Sequence, residues 1–405
     1  MHLAVEVPVL LGFKLRNFRS FAEEQSFACA ASDEAAPGRL GLSAVFGPNG
    51  SGKTNLILGL TALRDLVLNS ATCSEEQYAV HYCPFQPGPA ADRAVEFEVL
   101  LELDGQRYRY SLAYDAHRVL HERLLVYVTG KPQRWFERRY DTERQEPAWQ
   151  PFSPNLNGSR ELWRRMTGPK SLFLSTAVLL GCEQLKPITQ WFEVGLGVRL
   201  AESHADRRHL VQAVTDEVRK RRLLGILNAA DLSVRDIRIA ERGGATQGIE
   251  LRHAGAGGDL PWIDSADEAG GTNRLLGLLG YLLSARGPGA MLAIDEFDAG
   301  LHPLVSRFLV KLLKNQGLPQ GGSRLLLVSH NTALMDPAVL DREEIWLMDR
   351  DSIGSSRLKQ ASEMGIRRNE PFGRSYLRGR YGAVPEIQSE DAPDEPWMTG
   401  TEGGR

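Results

Sequence analysis

An eight-residue, glycine-rich segment constrains this chain more than any other feature of its sequence. Residues 47–54 read Gly47-Pro48-Asn49-Gly50-Ser51-Gly52-Lys53-Thr54 and match the pattern G-x-x-x-x-G-K-[ST] at every fixed position. An apolar stretch over 42–46 precedes the segment, and leucines at helical spacing follow it from Leu56. Because glycines let backbone N–H groups curl around phosphate oxygens at a helix N-terminus, the sequence predicts a strand, a phosphate-binding turn and a helix.

The side chains of this segment predict a nucleoside triphosphate bound with Mg²⁺. Lys53 is expected to reach the β- and γ-phosphates, and the Thr54 hydroxyl is expected to ligate Mg²⁺. The residues predicted to bind the nucleotide are Gly47, Pro48, Asn49, Gly50, Ser51, Gly52, Lys53, Thr54 and Asn55. The alternative is a chance glycine-rich turn, which at about 7% glycine usage would match in roughly one per cent of chains of this length.

Polar residues that follow two later apolar strands predict the hydrolytic half of such a site. The stretch Met291–Ile294 runs into Asp295 and Glu296. Asp295 is predicted to hold the Mg²⁺ shell, and Glu296 is predicted to act as the general base that polarises an attacking water. His330 follows the apolar stretch 325–328, at the ligand edge of a parallel sheet, and is predicted to hydrogen-bond the γ-phosphate. A solvated strand end and a capping histidine are the respective alternatives.

A glycine pair opens a predicted helix between these two groups of residues. Gly270, Gly271 and Thr272 come just before the helical pattern that begins at Leu275. A helix N-terminus of this kind binds anions through its free N–H groups, so all three are predicted to contact nucleotide. An ordinary helix-opening turn explains the pair equally well.

Composition excludes several classes of protein. The chain has 405 residues with 42% hydrophobic and 24% charged residues, which excludes disorder over its whole length. No run of about 18 uncharged apolar residues is present, so no membrane span is expected. The four cysteines lack C-x-x-C spacing and are interpreted as reduced thiols of a cytoplasmic protein. The net charge of -3 does not indicate nucleic-acid binding, although a local basic patch remains open.

The patterns along the chain predict an α/β protein with a mostly parallel sheet. Strands alternate with helices from 275 to 350, which is typical of parallel sheets, whereas a hairpin turn at Asp104-Gly105 indicates antiparallel strands. Four units are predicted: an N-terminal lobe over 1–130 with the phosphate loop and an antiparallel sheet, a helical or loop-rich insertion over 131–230, a C-terminal lobe over 231–387, and a disordered acidic tail over 388–405.

Taken together, these motifs resemble the ABC-type ATPases of the SMC and RecF-like branch. The chain is more similar still to the stand-alone AAA family ATPases of phage-defence and abortive-infection loci, of the RloA or AbiL type. Four further segments carry that similarity, namely 13–21, 227–232, 295–303 and 376–385. The resemblance implies an ABC-ATPase head, that is, a P-loop NTPase fold with an antiparallel β subdomain and a helical insertion.

The resemblance also implies a mechanism in which two heads sandwich two ATP molecules. The Gly270-Gly271 turn of one head would cap the γ-phosphate that the other head binds, residues 298–301 would cross the interface, and hydrolysis would part the heads. A separate effector protein from a neighbouring gene would respond. Ala269 departs from the family, which usually has serine there, so slow hydrolysis or reliance on backbone N–H groups and Thr272 is expected.

Two further assignments follow from the resemblance. Gln86 is the residue predicted to supply the glutamine that helps to hold Mg²⁺. Asp349-Arg350-Asp351 superficially offers the metal pair of a nuclease domain, but too few residues follow for such a domain, and we interpret it as a polar strand end.

Three functions compete at this level. The first is a nucleotide-switched defence ATPase with a separate effector, and the second is a RecF-like repair ATPase that acts directly on DNA. The third, a membrane-transporter subunit, is disfavoured because the chain lacks an intact L-S-G-G-Q. A DNA contact would be sought at Lys14, Arg16, Arg19 and the basic run 219–222, for which a solvated helix surface is the preferred interpretation.

Overall fold

The computed structural model describes most of the chain. The described residues are 9–29, 40–86, 93–128, 130–200, 205–242, 246–255, 258–284, 289–316, 323–365 and 372–385. The predicted acidic tail over 388–405 lies outside them.

Strands and helices alternate in three blocks. The strands, numbered in chain order, are β1 (Val9–Arg16), β2 (Gln25–Ala28), β3 (Gly41–Phe46), β4 (Val95–Leu103), β5 (Gln106–Tyr114), β6 (Val119–Val128), β7 (Lys131–Asp141), β8 (Glu146–Trp149), β9 (Leu196–Arg199), β10 (Val234–Arg242), β11 (Thr246–Gly255), β12 (Gly258–Asp259), β13 (Ile263–Asp264), β14 (Met291–Ile294), β15 (Arg324–Val328), β16 (Ile345–Arg350) and β17 (Ser356–Gln360). The helices are α1 (Lys53–Asn69), α2 (Glu75–Val80), α3 (Arg160–Met166), α4 (Phe173–Leu179), α5 (Lys186–Gln190), α6 (Ala205–Thr215), α7 (Glu217–Ala229), α8 (Gly270–Leu283), α9 (Pro303–Gln316) and α10 (Phe372–Leu377).

A six-stranded, mostly parallel sheet carries the phosphate loop. Its order is β17-β16-β3-β15-β14-β9, and only the β16–β17 pair is antiparallel. Every residue of β3 and β14 is buried, as continuous apolar strands are when helices cover both faces of a parallel sheet. The carboxyl ends of β3, β14, β15 and β16 therefore meet at one edge.

A seven-stranded antiparallel sheet lies across helix α1 from this edge. Its order is β2-β1-β4-β5-β6-β7-β8. Helix α1 buries Leu56, Leu60 and Leu63 at the predicted spacing, and it approaches β1 so closely that a methyl group on Gly59 would lie 3.2 Å from Leu15 Cδ1. The parallel sheet, the antiparallel sheet and the phosphate loop together confirm the predicted fold class.

The region expected to be helical or loop-rich contains strands at both ends. Residues 131–149 form β7 and β8 and extend the antiparallel sheet, and β9 adds an edge strand to the parallel sheet; the helices α3, α4 and α5 lie between. The prolines suggested loops, but Pro147 lies on the edge strand β8, where a missing N–H group is tolerated. The division of the chain into four units stays a prediction.

The helix expected over 203–229 is two helices. Asp216 separates α6 from α7, and its carboxylate accepts hydrogen bonds from the N–H groups of Val218 and Arg219, which caps α7. Val218, expected on the buried face, is 68% exposed. Within the basic run that follows, Lys220 pairs with Asp236 at 2.8 Å, in line with a solvated helix surface.

The remaining elements complete the C-terminal part. Strands β10, β11 and β12 form a small antiparallel sheet, and β13 pairs with β11. After α10, the Ala383 N–H donates to Asp349 Oδ2 at 2.8 Å, which ties this segment to the end of β16. Among the residues that the structure describes, no helix has the length and apolar character needed to cross a bilayer.

Candidate functional site

A cavity of about 410 Å³ lies at the carboxyl edge of the parallel sheet, where β3, β14, β15 and β16 end. We call it the phosphate-loop cavity. Its lining residues are Asn49, Gly50, Gly52, Lys53, Thr54, Asn55, Asp295, Glu296, Val328, His330 and Arg350. Residues predicted separately from two distant stretches of sequence thus come together in one place.

The backbone of the loop adopts conformations that require glycine. Gly50 has φ 75° and Gly52 has φ 103°, both in the left-handed region that side chains rarely adopt. A methyl group on Gly52 would also lie 2.1 Å from Ser356 Oγ. The glycines thus allow the chain to turn tightly into the N-terminus of α1, where free N–H groups favour anions.

Lys53, the first residue of α1, curls its side chain beneath the loop. Its ammonium group donates hydrogen bonds to the carbonyl oxygens of Gly47 and Pro48, both at 2.8 Å. Burial lowers the pKa of Lys53 to about 8, and the carboxylates of Asp295 and Glu296 oppose that shift. The ammonium is therefore an incompletely solvated cation, and a phosphate oxygen would stabilise its charged form.

Thr54 and Asp295 form a direct link between α1 and the end of β14. The Thr54 hydroxyl donates to Asp295 Oδ2 at 2.8 Å, and Asp295 is buried. A hydroxyl and a carboxylate are the hard oxygen ligands that Mg²⁺ prefers, so these two residues fit the ion. Gln86, predicted as a further Mg²⁺ ligand, is exposed and does not line the phosphate-loop cavity.

Glu296 stands at the mouth of the cavity in a strained conformation. It has φ 46°, and such a backbone costs a residue other than glycine about 1–3 kcal/mol. Its side chain is exposed, whereas the adjacent Asp295 is buried. Strain of this kind concentrates at functional sites, and here it directs neighbouring carboxylates into different environments.

His330 lies just beyond the end of β15 and is accessible to solvent. Partial desolvation, and after it the charge of Lys53, lower the pKa of His330 from its ordinary value of 6.5. A neutral imidazole therefore predominates at pH 7, with one nitrogen able to donate a hydrogen bond and the other able to accept one.

Three residues without a role in the sequence-based prediction hold or line this site. Ser356 Oγ donates to the Ser51 carbonyl oxygen at 2.6 Å and lies 2.7 Å from Ser20 Oγ. Asn55 Nδ2 also donates to Ser20 Oγ, at 2.9 Å. Arg350 lines the cavity itself. Ser20 lies in the quoted segment 13–21, and Arg350 follows a strand that ends at the same edge as β3, so both had a sequence signal.

The predicted glycine pair is not part of this cavity. Gly271 and Thr272 line a separate cavity of about 560 Å³, together with Ala269 and residues 300–302. Helix α8 begins at Gly270, and Ala269 provides no side-chain hydrogen bond to its N-terminus. Within one chain, the glycine pair and the phosphate loop are thus two distinct sites.

Comparison with known proteins assigns the family. The family model described as "AAA domain, putative AbiEii toxin, Type IV TA system" matches residues 42–336, nearly three quarters of the chain. The chain belongs to this family of AAA domains. The match spans the phosphate loop, Asp295, Glu296 and His330, but it does not distinguish an RloA or AbiL type within the AAA-domain family.

Solved structures of SMC heads are similar to this AAA-domain protein. The SMC head domain from Thermotoga maritima matches at 14% identity over 87% of this chain and 98% of its own, with a TM-score of 0.43. An SmcHead bound to the C-winged helix domain of ScpA matches at 14% identity over 89% and 100%, with a TM-score of 0.45. None of the curated proteins matches the chain.

Proposed function

We propose that this chain binds ATP with Mg²⁺, hydrolyses it, and works as a nucleotide-switched homodimer that controls a separate effector in anti-phage defence. One observation carries the proposal: Lys53, the Thr54–Asp295 link and Glu296 converge on a single cavity next to a glycine-shaped loop. Membership of the AAA-domain family supports it.

Each residue has a distinct task in the proposed reaction. The loop N–H groups and Lys53 bind the phosphates and stabilise charge that develops during cleavage. Glu296 accepts a proton from the attacking water, and neutral His330 hydrogen-bonds the γ-phosphate. Mg²⁺, held at Thr54 and Asp295, would supply charge neutralisation of the phosphate oxygens.

The location of the glycine pair supports the dimeric arrangement. Gly270 and Ala269 are exposed, and Gly271 lies in a cavity apart from the phosphate loop of the same chain. Residues 300–302, part of the segment expected to cross the interface, line that cavity too. An exposed helix N-terminus is free to meet the γ-phosphate bound by a second copy, so ATP would tighten the dimer through contacts present only in that state.

The effector is proposed from the family description, which names a putative toxin of a type IV toxin–antitoxin system. The surface predicted to touch DNA is charge-compensated instead. Lys14 lies 3.4 Å from Glu24, and Arg16 lies 3.3 Å from Glu96. These pairs favour a protein effector over direct DNA binding as the partner.

Nucleotide binding to a Lys53→Ala variant tests the proposal. Titration calorimetry with Mg²⁺ and a non-hydrolysable ATP analogue should show binding by the wild type and a loss of at least about 100-fold in the variant, because the ammonium contacts two charged phosphates. Lys311→Ala removes an exposed lysine of α9 and should retain wild-type affinity. If Lys53→Ala and Lys311→Ala bind the analogue equally well, the proposed site is wrong.

A further inference from the structure

Arg350 places a second cation against the phosphate loop. It is the last residue of β16, which pairs with β3 in parallel and ends beside the loop. A methyl group built on Gly50 would lie 2.9 Å from Arg350 Nη2. The guanidinium therefore lies over the loop, although the residue is exposed.

The carboxylates next to Arg350 are engaged with other groups. Asp349 Oδ2 accepts from the Ala383 N–H at 2.8 Å. Asp351 Oδ2 accepts from Arg357 Nε at 3.0 Å. Within the described part of the chain, the Arg350 guanidinium itself has no ion pair or hydrogen bond. A planar group with several N–H donors remains directed at the site and matches a phosphate in a bidentate geometry.

The location of Arg350 indicates which part of a nucleotide it would meet. Asn49, His330 and Arg350 line both the phosphate-loop cavity and a larger neighbouring cavity of about 950 Å³. Ser20 and Ser356 hold the loop near Gly52 and Asn55. Arg350 thus lies on the side of His330, the residue assigned to the γ-phosphate.

We propose that Arg350 binds the terminal phosphate of the bound triphosphate and so makes the site discriminate ATP from ADP. The inference rests on the proposed function, because it needs a nucleotide in the phosphate-loop cavity. Its chemistry is specific: one guanidinium contacts the one phosphoryl group that the diphosphate lacks, so the interaction disappears when that group leaves.

Paired titrations with a non-hydrolysable ATP analogue and with ADP test the inference. Arg350→Gln should weaken binding of the analogue about tenfold, as expected for loss of a hydrogen bond to a charged group, and should change ADP affinity less than twofold. Arg350→Lys keeps the charge and should lose less. Arg342→Gln, which removes an exposed arginine paired with Glu343, should bind both ligands as the wild type does.

Two results would overturn the inference. One is unchanged affinity of Arg350→Gln for the analogue, and the other is an equal loss for the analogue and ADP. If Arg350→Gln does not fold, Arg350→Lys decides by the same ratio of analogue to ADP affinity. Wild-type protein that binds neither nucleotide would refute the proposed function, whereas binding that is sensitive to Lys53→Ala but not to Arg350→Gln would refute this inference alone.

Discussion

Two clusters of charged residues in this protein treat their charges in opposite ways. In the antiparallel sheet, the fully buried Glu122 accepts from Arg138 Nε at 2.9 Å, from Tyr110 at 3.1 Å, and from the N–H groups of Phe173 and Leu174 at the start of α4. We call these five residues the Glu122 cluster. Its charges are satisfied within the chain, so it joins a sheet to a helix.

The phosphate-loop cavity shows the contrasting arrangement. The Lys53 ammonium meets only carbonyl oxygens, and Glu296 and Arg350 are exposed. In the described part of the chain, neither of those two side chains forms an ion pair. Groups brought together without neutralising one another indicate a site prepared for a ligand, whereas paired buried charges indicate a structural role. The comparison therefore predicts where mutation affects folding and where it affects chemistry.

The largest effect is expected from Glu122→Leu. The change leaves the Arg138 guanidinium buried without its partner and removes the acceptor of two α4 N–H groups, so the free energy of unfolding should fall by about 3–5 kcal/mol. Chemical denaturation measures it. Lys53→Ala, measured beside it, should alter the free energy of unfolding by less than about 1 kcal/mol.

The double variant Glu122→Leu/Arg138→Met sharpens that test. It removes both charges and should recover part of the loss, although Tyr110 and the two N–H groups still lack their acceptor. Equal destabilisation by Glu122→Leu and Lys53→Ala would show that the two clusters do not differ in kind.

Glu296→Gln should give the next largest effect, and in activity rather than stability. The amide cannot accept the proton of the attacking water, so the rate of ATP hydrolysis should fall at least about 100-fold, while affinity for ATP is retained. With ATP not consumed, the variant should accumulate as a dimer, which size-exclusion chromatography with light scattering detects. A monomer at every ATP concentration would refute the two-head model, and unchanged hydrolysis would remove Glu296 as the base. Glu344→Gln is unsuitable as a control because Glu344 holds Lys314; the exposed Glu343→Gln serves instead and should hydrolyse at the wild-type rate.

The contrast also explains how far the sequence could be interpreted. The phosphate loop is contiguous, and Asp295 and Glu296 follow an apolar strand directly, so local pattern and the rule that parallel strands share a carboxyl edge suffice to bring them together. Arg350 obeys the same rule, but its neighbouring aspartates suggested a polar strand end.

The Glu122 cluster was beyond sequence-based prediction for a different reason. Its members come from β5, β6, β7 and α4, and β7 lies in a stretch whose prolines suggested loops. Strand pairing there depends on non-local contacts, and no motif spacing specifies which glutamate faces which arginine. The roles of the site residues, by contrast, stay predictions that only measurement on the protein can test.

The smallest effect is expected at the N-terminus of α8, which belongs to neither cluster. Ala269→Ser supplies a hydroxyl where the N-cap now has none. In the proposed dimer that hydroxyl would donate to the γ-phosphate bound by the partner copy, and one such hydrogen bond at an exposed position is worth about 0.5–1.5 kcal/mol. Turnover of ATP should therefore rise about two- to tenfold. Ala266→Ser, an exposed change three residues earlier, should leave turnover unchanged. Because a serine cap alone would stabilise α8 without changing catalysis, a higher melting temperature at constant turnover would count against the γ-phosphate contact and leave only the helix cap.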